Sequence, residues 1–341
     1  MGYYRPLLQR DACRPAHSAA LGGGPLWFDH AELLSRDAPP RRVTLADIPA
    51  DSLARLTTPR PDICGLSQSR PVIMGILNVT PDSFSDGGRH FALNAALDAA
   101  QAMAENGADI LDIGGESTRP GAAPVSEDEE LGRIIPVIAA LREQGFSLPI
   151  SVDTRKANIA RAALAAGANL VNDVAALGYD ADMPATIAAA RAPVCLMHAL
   201  GDPRTMQQDP RYDDVLLDVY DFLETRMELA AAAGIPRSAI LADPGIGFGK
   251  TLDHNLALIR GLALFHMLGC PLLLGTSRKR FIGTIGGVEA PAQRVPGSLA
   301  TALAGLDQGV QWLRVHDVAE TRQAVALWRA ILPEHTQKGA P

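Results

Sequence analysis

The chain has few aromatic residues and no long apolar run. Phe, Trp and Tyr make up 5% of its 341 residues. No apolar stretch reaches ~18 residues, the length that predicts a membrane-spanning helix. The first residues, Met-Gly-Tyr-Tyr-Arg-Pro, lack the apolar core of a signal peptide. We therefore expect a cytoplasmic protein with no membrane partner.

Cysteine is also scarce, with Cys13, Cys64, Cys195 and Cys270 far apart in the chain. No two of them form the Cys-x-x-Cys pair that is typical of metal and redox sites. Cys195 and Cys270 lie inside apolar runs typical of strands. They are expected to be buried free thiols of a reducing compartment.

Positive charge is not in excess. The formal net charge is −7 and the pI is about 5.6, and no basic stripe follows the chain. A nucleic-acid partner is therefore not expected. An anionic ligand would have to be held by a few local basic residues.

The first 70 residues differ in composition from the rest. Glycine and proline interrupt them at residues 22–24, 39–40 and 59–61. We interpret residues 1–70 as a partly ordered N-terminal extension, 71–333 as the main domain and 334–341 as a C-terminal tail. Leu26–Phe28 could form a strand and Thr44–Ile48 could begin a helix.

From Pro71 onward, short apolar runs alternate with alanine-rich helical stretches, the pattern of parallel strands joined by crossover helices. The alternation predicts an α/β fold, a (β/α)8 TIM barrel with an N-terminal extension, because eight such runs occur. A doubly wound open sheet shares the alternation and is the alternative. The eight runs are Val72–Leu77, Ile110–Ile113, Ile150–Val152, Leu170–Val174, Val194–Met197, Ile240–Ala242, Leu272–Leu274 and Trp312–Val315.

Polar residues follow these runs where each strand would end. One strand-end Asp has an ordinary explanation as a helix cap, but a full set at one barrel mouth predicts a ligand site. Arg314 and His316 share a face because strand side chains alternate, and both can hold an anion. The strand-end residues are Asn78, Asp112, Asp153, Asn172, His198, Asp243, Lys279, Arg314 and His316.

Two loops add to this site. Residues 276–280, Thr-Ser-Arg-Lys-Arg, open a helix after the seventh strand, where barrels bind phosphate. Residues 71–88 form an apolar strand that runs into a polar loop ending in two glycines, which can open and close over a ligand. The alternative for this loop alone is an ordinary surface connection.

Three stretches resemble the signature motifs of dihydropteroate synthases, the folate-pathway enzymes that join a pterin to p-aminobenzoate. They are residues 71–88, residues 107–122 (Gly-Ala-Asp-Ile-Leu-Asp-Ile-Gly-Gly-Glu-Ser-Thr-Arg-Pro-Gly-Ala) and residues 243–250 (Asp-Pro-Gly-Ile-Gly-Phe-Gly-Lys). The resemblance covers roughly Arg70 to Leu332. It implies a TIM-barrel transferase that is a sulfonamide target, takes a pterin diphosphate and p-aminobenzoate, uses Mg²⁺ and forms a homodimer.

The resemblance also assigns roles to individual residues. It implies a pterin-ring site at Asp153, Asn172, Asp243 and Lys279, with Met197 packed on the ring. It implies a diphosphate site at Asn78, Arg119, Arg314 and His316, where Asn78 is the Mg²⁺ ligand. It implies a p-aminobenzoate site at Thr118, Pro120, Phe248 and Ser277, completed by the loops of Asp82 and Arg119. Asp82, Arg119, Lys279, Arg314 and His316 would be the catalytic residues.

Some points stay open. His198 could contact the substrate or be a core histidine. Ala199-Leu200 and Ile246 depart from residues frequent in the family, which puts the pocket shape in doubt. The alternatives to this activity are a corrinoid-dependent pterin methyltransferase, which would not need the Arg119 and Arg314 pair, and a degenerate pterin-binding paralogue.

Overall fold

The computed structural model describes residues 2–79, 89–116, 124–201 and 205–333, with the backbone alone at 89–92. Its N-terminal part contains β1 (Tyr3–Pro6), β2 (Ala19–Ala20), β3 (Trp27–Phe28), β4 (His30–Leu34), β5 (Arg41–Thr44) and α1 (Ala50–Thr57). The main domain contains the strands β6 (Val72–Asn78), β7 (Ile110–Gly114), β8 (Ile150–Asp153), β9 (Leu170–Asp173), β10 (Val194–Met197), β11 (Ile240–Asp243), β12 (Leu273–Leu274) and β13 (Trp312–Val315). Its helices are α2 (Arg89–Glu105), α3 (Glu127–Glu143), α4 (Ala157–Ala165), α5 (Met183–Ala190), α6 (Val215–Ala232), α7 (Leu252–Arg260), α8 (Arg280–Gly286), α9 (Val295–Asp307) and α10 (Val318–Ile331).

Strands β6 to β13 form one parallel barrel. Seven neighbouring pairs are hydrogen-bonded in the order β11-β10-β9-β8-β7-β6-β13-β12. A parallel bridge between Ala242 and Leu272 closes the ring, and the Ala242 amide donates to the carbonyl of Pro271 at 3.0 Å. The predicted (β/α)8 barrel is confirmed, and the open doubly wound sheet is wrong.

Two strands have the predicted bounds, and each of the other six differs from the prediction by one residue at one end. Strand β9 ends at Asp173 instead of Val174, because the Asp173 carboxylate accepts the backbone N–H groups of Ala175 and Leu177 and turns the chain there. Ala176 and Leu177 adopt positive φ angles of 47° and 63° in this turn. A short side chain that bonds its own following backbone competes with the sheet.

The N-terminal end of the barrel is filled by side chains. Ile63 and Trp312 are almost fully buried there, in one apolar cluster with the first residues of several strands, such as Val72 and Ile110. The Trp312 Nε1 donates to the Oε1 of Gln68 at 2.7 Å. The segment just before β6 therefore closes this end of the barrel.

The N-terminal extension packs on α6. The Tyr3 hydroxyl lies 2.9 Å from Asp221 Oδ2, Arg36 pairs with Asp218 at 2.6 Å, and Arg55 pairs with Glu224 at 2.7 Å. Strands β1, β4 and β5 form an antiparallel sheet, and Phe28 and Leu56 are fully buried. None of these contacts involves a strand-end residue of the barrel.

Two further sequence expectations concern burial. Cys195 and Cys270 are free and buried, as predicted, while Cys13 is exposed. None of the helices in the described ranges is both long and apolar enough to cross a membrane.

Candidate active site

The carboxyl ends of the barrel strands bring buried polar side chains together. The register aligns Asp153 of β8 with Asn172 of β9, and Met197 of β10 with Asp243 of β11. All four are at least nine-tenths buried. The interior of the mouth is therefore walled by carboxylates, an amide and a thioether.

Arg314 is the cation at the centre of this group. Its Nε donates to Asp112 Oδ2 at 2.6 Å, and its Nη2 donates to Asp153 Oδ2 at 2.7 Å. The Asn172 Nδ2 also donates to Asp112 Oδ2, at 3.0 Å. Burial lowers the pKa of Arg314, but the Asp112 and Asp153 carboxylates outweigh it and raise that pKa. The guanidinium stays charged.

Asp112 was predicted to lie at the mouth but was given no individual role, and the structure shows that it joins Arg314 to Asn172. Its side chain is fully buried. The signal was present, because Asp112 lies at a strand end inside the motif at residues 107–122. Its partners, 202 and 60 residues away in the chain, could not be inferred from local pattern.

Two acceptors in the mouth lack partners. The Oδ1 atoms of Asp112 and Asp153 are buried with no hydrogen bond within the described part of the chain. A buried acceptor without a donor costs about 1–3 kcal/mol. Burial raises the pKa of Asp153 to about 7, against the lowering effect of Arg314, and Asp112 raises it further. These oxygens are suited to a ligand that carries N–H donors.

Lys279 faces this group from the turn before α8. Its Nζ donates to the Ile246 carbonyl and lies 4.1 Å from the centre of the Phe248 ring. Burial lowers the pKa of Lys279 to about 7, although Asp243 opposes the shift. Burial likewise raises the pKa of Asp243, with Lys279 opposing.

The turn that carries Lys279 also places Ser277. Ser277 Oγ lies 3.0 Å from His316 Nδ1 and accepts the His316 backbone N–H at 3.1 Å. Arg278 has a positive φ of 58°. The guanidinium of Arg278 pairs with Asp317, which holds the residue in this conformation. The strained turn therefore presents Ser277 and Lys279 on either side of a tethered arginine.

His198 lies behind the mouth. Its Nδ1 is 2.9 Å from Lys250 Nζ, and its ring meets the Phe222 ring edge-on with the centroids 4.7 Å apart. Burial and then the Lys250 charge lower the pKa of His198 to about 2. The histidine is neutral and packed, which favours the core interpretation.

Asn78 ends β6, next to Gly114 of β7. In the part of the chain that the structure describes, no group of three or more His, Cys, Asp or Glu could hold a metal by itself. Four predicted site residues, Asp82, Thr118, Arg119 and Pro120, lie outside the described residues.

Three comparisons place the chain among known proteins. A family model described as pterin binding enzyme matches residues 74–316. Dihydropteroate synthase of Escherichia coli (strain K12) is 47% identical over 273 residues, which are 80% of this chain and 96% of that protein. The Xanthomonas albilineans dihydropteroate synthase with 4-aminobenzoic acid is 49% identical, with a TM-score of 0.75, over 81% of this chain and 98% of that one. The Yersinia pestis dihydropteroate synthase with a sulfonamide drug is also 49% identical, with a TM-score of 0.73, over 78% of this chain and 95% of that one.

Proposed function

The chain belongs to the pterin-binding enzyme family, and from this we propose that it joins 6-hydroxymethyl-7,8-dihydropterin diphosphate to p-aminobenzoate, giving 7,8-dihydropteroate and diphosphate. It is a transferase with dihydropteroate synthase activity. The observation that carries the proposal is the pair of partnerless carboxylate oxygens beside Arg314. A flat heterocycle with N–H and amino donors would satisfy both.

The pterin ring binds in the mouth. Asp112, Asp153 and Asp243 accept its N–H and amino groups, Asn172 supplies an amide, and Lys279 donates to the ring carbonyl. Met197 is buried beside Asp243 and offers an apolar face to the ring. Arg314 is already fixed by two carboxylates, so it loses little conformational freedom when the ligand arrives.

The diphosphate binds above the pterin, at Arg314 and His316. Asn78 supplies a single oxygen, which fits Mg²⁺ because that ion keeps most of its water and takes other ligands from substrate phosphates. When bound, Mg²⁺ would neutralise charge on the leaving group. Arg119 is proposed to add a second cation from its loop.

The p-aminobenzoate lies between Phe248 and Ser277, on the outer side of Lys279. Phe248 offers an aromatic face, which the Lys279 ammonium already covers from one side. Ser277 donates a hydroxyl, and Thr118, Pro120 and the loop of Asp82 complete the pocket. These loops are proposed to order only after the pterin diphosphate binds, so that the substrates bind in the order pterin first.

The reaction is proposed to be dissociative, with the C–O bond to diphosphate breaking before the amine attacks. Among its described residues the site holds cations for a leaving anion but no base directed at an arylamine, and a neutral arylamine needs none. The dihydropterin shares the positive charge that develops at its exocyclic carbon. The Arg314 and His316 pair stabilises the departing anion.

One assay tests the activity. Formation of dihydropteroate and release of diphosphate are measured with both substrates and with each omitted in turn, and we expect sustained turnover only when both are present. Sustained turnover without p-aminobenzoate, or transfer of a methyl group in place of diphosphate release, would contradict the proposal. Chelation of Mg²⁺ by EDTA should stop turnover, and added MgCl₂ should restore it.

A second experiment tests the order of bond breaking. Ring-substituted p-aminobenzoates of graded amine basicity are compared in single turnovers at saturating concentrations of both substrates. We expect the rate of the chemical step to depend only weakly on basicity. A steep dependence would mean that the amine assists departure, and the dissociative mechanism would be wrong.

A homodimer through α10 is also proposed. Leu327 and Ile331 of that helix are 60% and 73% exposed, an uncommon position for two large apolar side chains one turn apart. We expect Leu327→Glu to give monomers in sedimentation, whereas the control Leu252→Glu, at a less exposed leucine on α7, should not.

A cytoplasmic location is supported by the free thiols of Cys195 and Cys270 and can be checked by cell fractionation.

A further inference from the structure

A cavity of about 340 Å³ lies beside the mouth, between the turns that follow β9, β10 and β11 and the helix α6. Two of its walls, Met197 and Phe248, are shared with the proposed substrate site. Its other principal walls are two arginines and two aromatic rings. We call it the side cavity and define it by Arg155, Tyr179, Met197, Phe222, Arg226 and Phe248.

Arg226 brings an unpaired positive charge to the side cavity. It is half-buried on α6, and among the described residues its contact is with an aromatic ring, with no hydrogen bond or ion pair. Its contact is with the Phe222 ring, 5.4 Å from the guanidinium carbon. Gly178 makes room for it, because a Cβ there would lie 2.4 Å from Nη2 of Arg226.

Arg155 is the second cation. It is buried, and its guanidinium lies 4.1 Å from the centre of the Tyr179 ring. Its Nε and Nη2 donate to Glu116 at 3.4 and 3.2 Å, and its Nη1 has no hydrogen-bond partner among the described residues. A guanidinium with free N–H groups beside a second one is suited to a carboxylate.

The carboxylates near these cations are occupied elsewhere. Asp173 faces both arginines, but its two oxygens accept the backbone N–H groups of Ala175 and Leu177 at 2.9 and 2.7 Å. Glu116 accepts the Val125 N–H in addition to its bonds with Arg155. Neither carboxylate contacts Arg226.

We propose that the side cavity binds a small aromatic carboxylate of the benzoate class, at a position separate from the substrate site. The carboxylate pairs with Arg226 and the free N–H of Arg155, and the ring packs against Phe222 and Phe248. The volume suits one substituted benzene ring, and aromatic walls with a few placed polar groups are typical of small-molecule sites. This inference rests on the proposed function in one respect, since p-aminobenzoate is itself a member of the class.

The proposal has a kinetic consequence. A ligand in the side cavity contacts Met197 and Phe248, and both residues also line the proposed substrate site. Occupancy therefore opposes productive binding of the pterin and p-aminobenzoate. Excess aromatic carboxylate should inhibit the enzyme, and the inhibition should depend on Arg226.

Benzoate is the probe for the binding test, because it has no amine and cannot react. Its affinity for the protein without any pterin is measured by isothermal titration calorimetry. Because a charge-assisted hydrogen bond is lost, Arg226→Gln should bind benzoate at least about tenfold more weakly than the unaltered protein does. The loss of affinity should be smaller for Arg226→Lys. The matched control is Arg42→Gln, which removes one exposed arginine on β5 and should bind as the unaltered protein does.

Turnover separates the side cavity from the substrate site. With p-aminobenzoate raised far above its KM, the unaltered enzyme should slow down, and Arg226→Gln should lose this inhibition while its kcat stays the same. Equal benzoate affinity in Arg226→Gln and the unaltered protein, or unchanged inhibition, would overturn the side cavity as a site. A complete lack of turnover in the unaltered enzyme would instead overturn the proposed function.

Discussion

Arg314 of β13 reaches across two intervening strands to Asp153 of β8, with its Nη2 2.7 Å from the carboxylate Oδ2. The same guanidinium also bonds Asp112, so two buried carboxylates share one cation. When both carboxylates are ionised, the group of Asp112, Asp153 and Arg314 therefore carries a net negative charge. The pKa of Asp153 is raised to about 7, because burial and the Asp112 charge together outweigh Arg314.

The first prediction concerns pH. In the free protein Asp153 is protonated below about pH 7, whereas the bound pterin needs an ionised acceptor, so binding releases a proton. Affinity for the pterin diphosphate should fall about tenfold per pH unit below the pKa of Asp153. Lys279 stays protonated at about pH 6 and below. Burial also raises the pKa of Asp243, so the variant Asp153→Asn is needed to assign the released proton to Asp153.

Calorimetry in buffers of different ionisation enthalpy counts the released proton. Asp153→Asn should bind more weakly and release about one proton fewer in the same window. An affinity that does not change with pH in the unaltered protein, or a proton count that Asp153→Asn leaves unchanged, would contradict this assignment.

The second prediction concerns Asp112. Asp112→Ala leaves Arg314 with one carboxylate and Asn172 Nδ2 without its acceptor. Breaking a buried ion pair on one side costs about 3 kcal/mol, so we expect a drop of that size in the free energy of unfolding measured with urea. The control is Ser151→Ala on the next strand, where the buried hydroxyl already has no partner and its loss should cost little. Equal stability of the two variants would show that Asp112 does not support Arg314.

The third prediction concerns Lys279. We expect Lys279→Ala and Lys279→Met to lower kcat/KM by at least about 100-fold, because the hydrogen bond from a buried ammonium to the pterin is lost. Near-normal activity in either variant would overturn the role given to this lysine.

The stability of Lys279→Met should rise although its activity falls. The pKa of Lys279 in the folded protein, about 7, is below the ordinary value of 10.5. A depressed pKa means that the charged form is disfavoured on folding, so the cost is complete below about pH 7 and disappears above about pH 10.5. Without ligand, Lys279→Met should melt at a higher temperature than the unaltered protein near pH 6. The difference should shrink near pH 9.

The fourth prediction compares two truncations. Removal of residues 1–69 leaves all of the proposed catalytic residues in the chain, since they lie downstream. The structure adds that this cut also removes Ile63 and Gln68, which close the N-terminal end of the barrel over Trp312. Removal of residues 1–58 keeps that closure.

We therefore expect the shorter truncation to retain turnover and to lose stability because it uncovers α6 and the helical turns at Leu262–Leu268, on which the extension packs. The longer one should unfold at a markedly lower temperature, because Trp312 loses its hydrogen bond and its cover. Melting followed by circular dichroism, together with diphosphate release, checks both. Loss of turnover in a folded protein lacking residues 1–58 would mean that the extension shapes the active site.

The positions of the strands along the chain and the residue types at their ends were determined by the sequence alone. Apolar runs at barrel spacing fix the strands, and alternation along each strand fixes which side chains face the mouth. For this reason Asp153, Asn172, Asp243 and Arg314 were predicted and are brought together by the fold. Local periodicity is sufficient to predict a site residue wherever the backbone itself sets the direction of the side chain.

Only the tertiary structure decided which groups meet and how strongly they are buried. Arg314 is 161 residues from Asp153 in the chain, and the pKa of Lys279 depends on burial that no local pattern reports. Packing also decided three other features. They are the position of His198 behind the mouth, the contact of the extension with α6, and the place of Arg226 in the side cavity without an ion-pair partner among the described residues. Contacts between distant segments are set by the closure of the barrel and by side-chain volume, and neither is encoded in the spacing of residues along one strand.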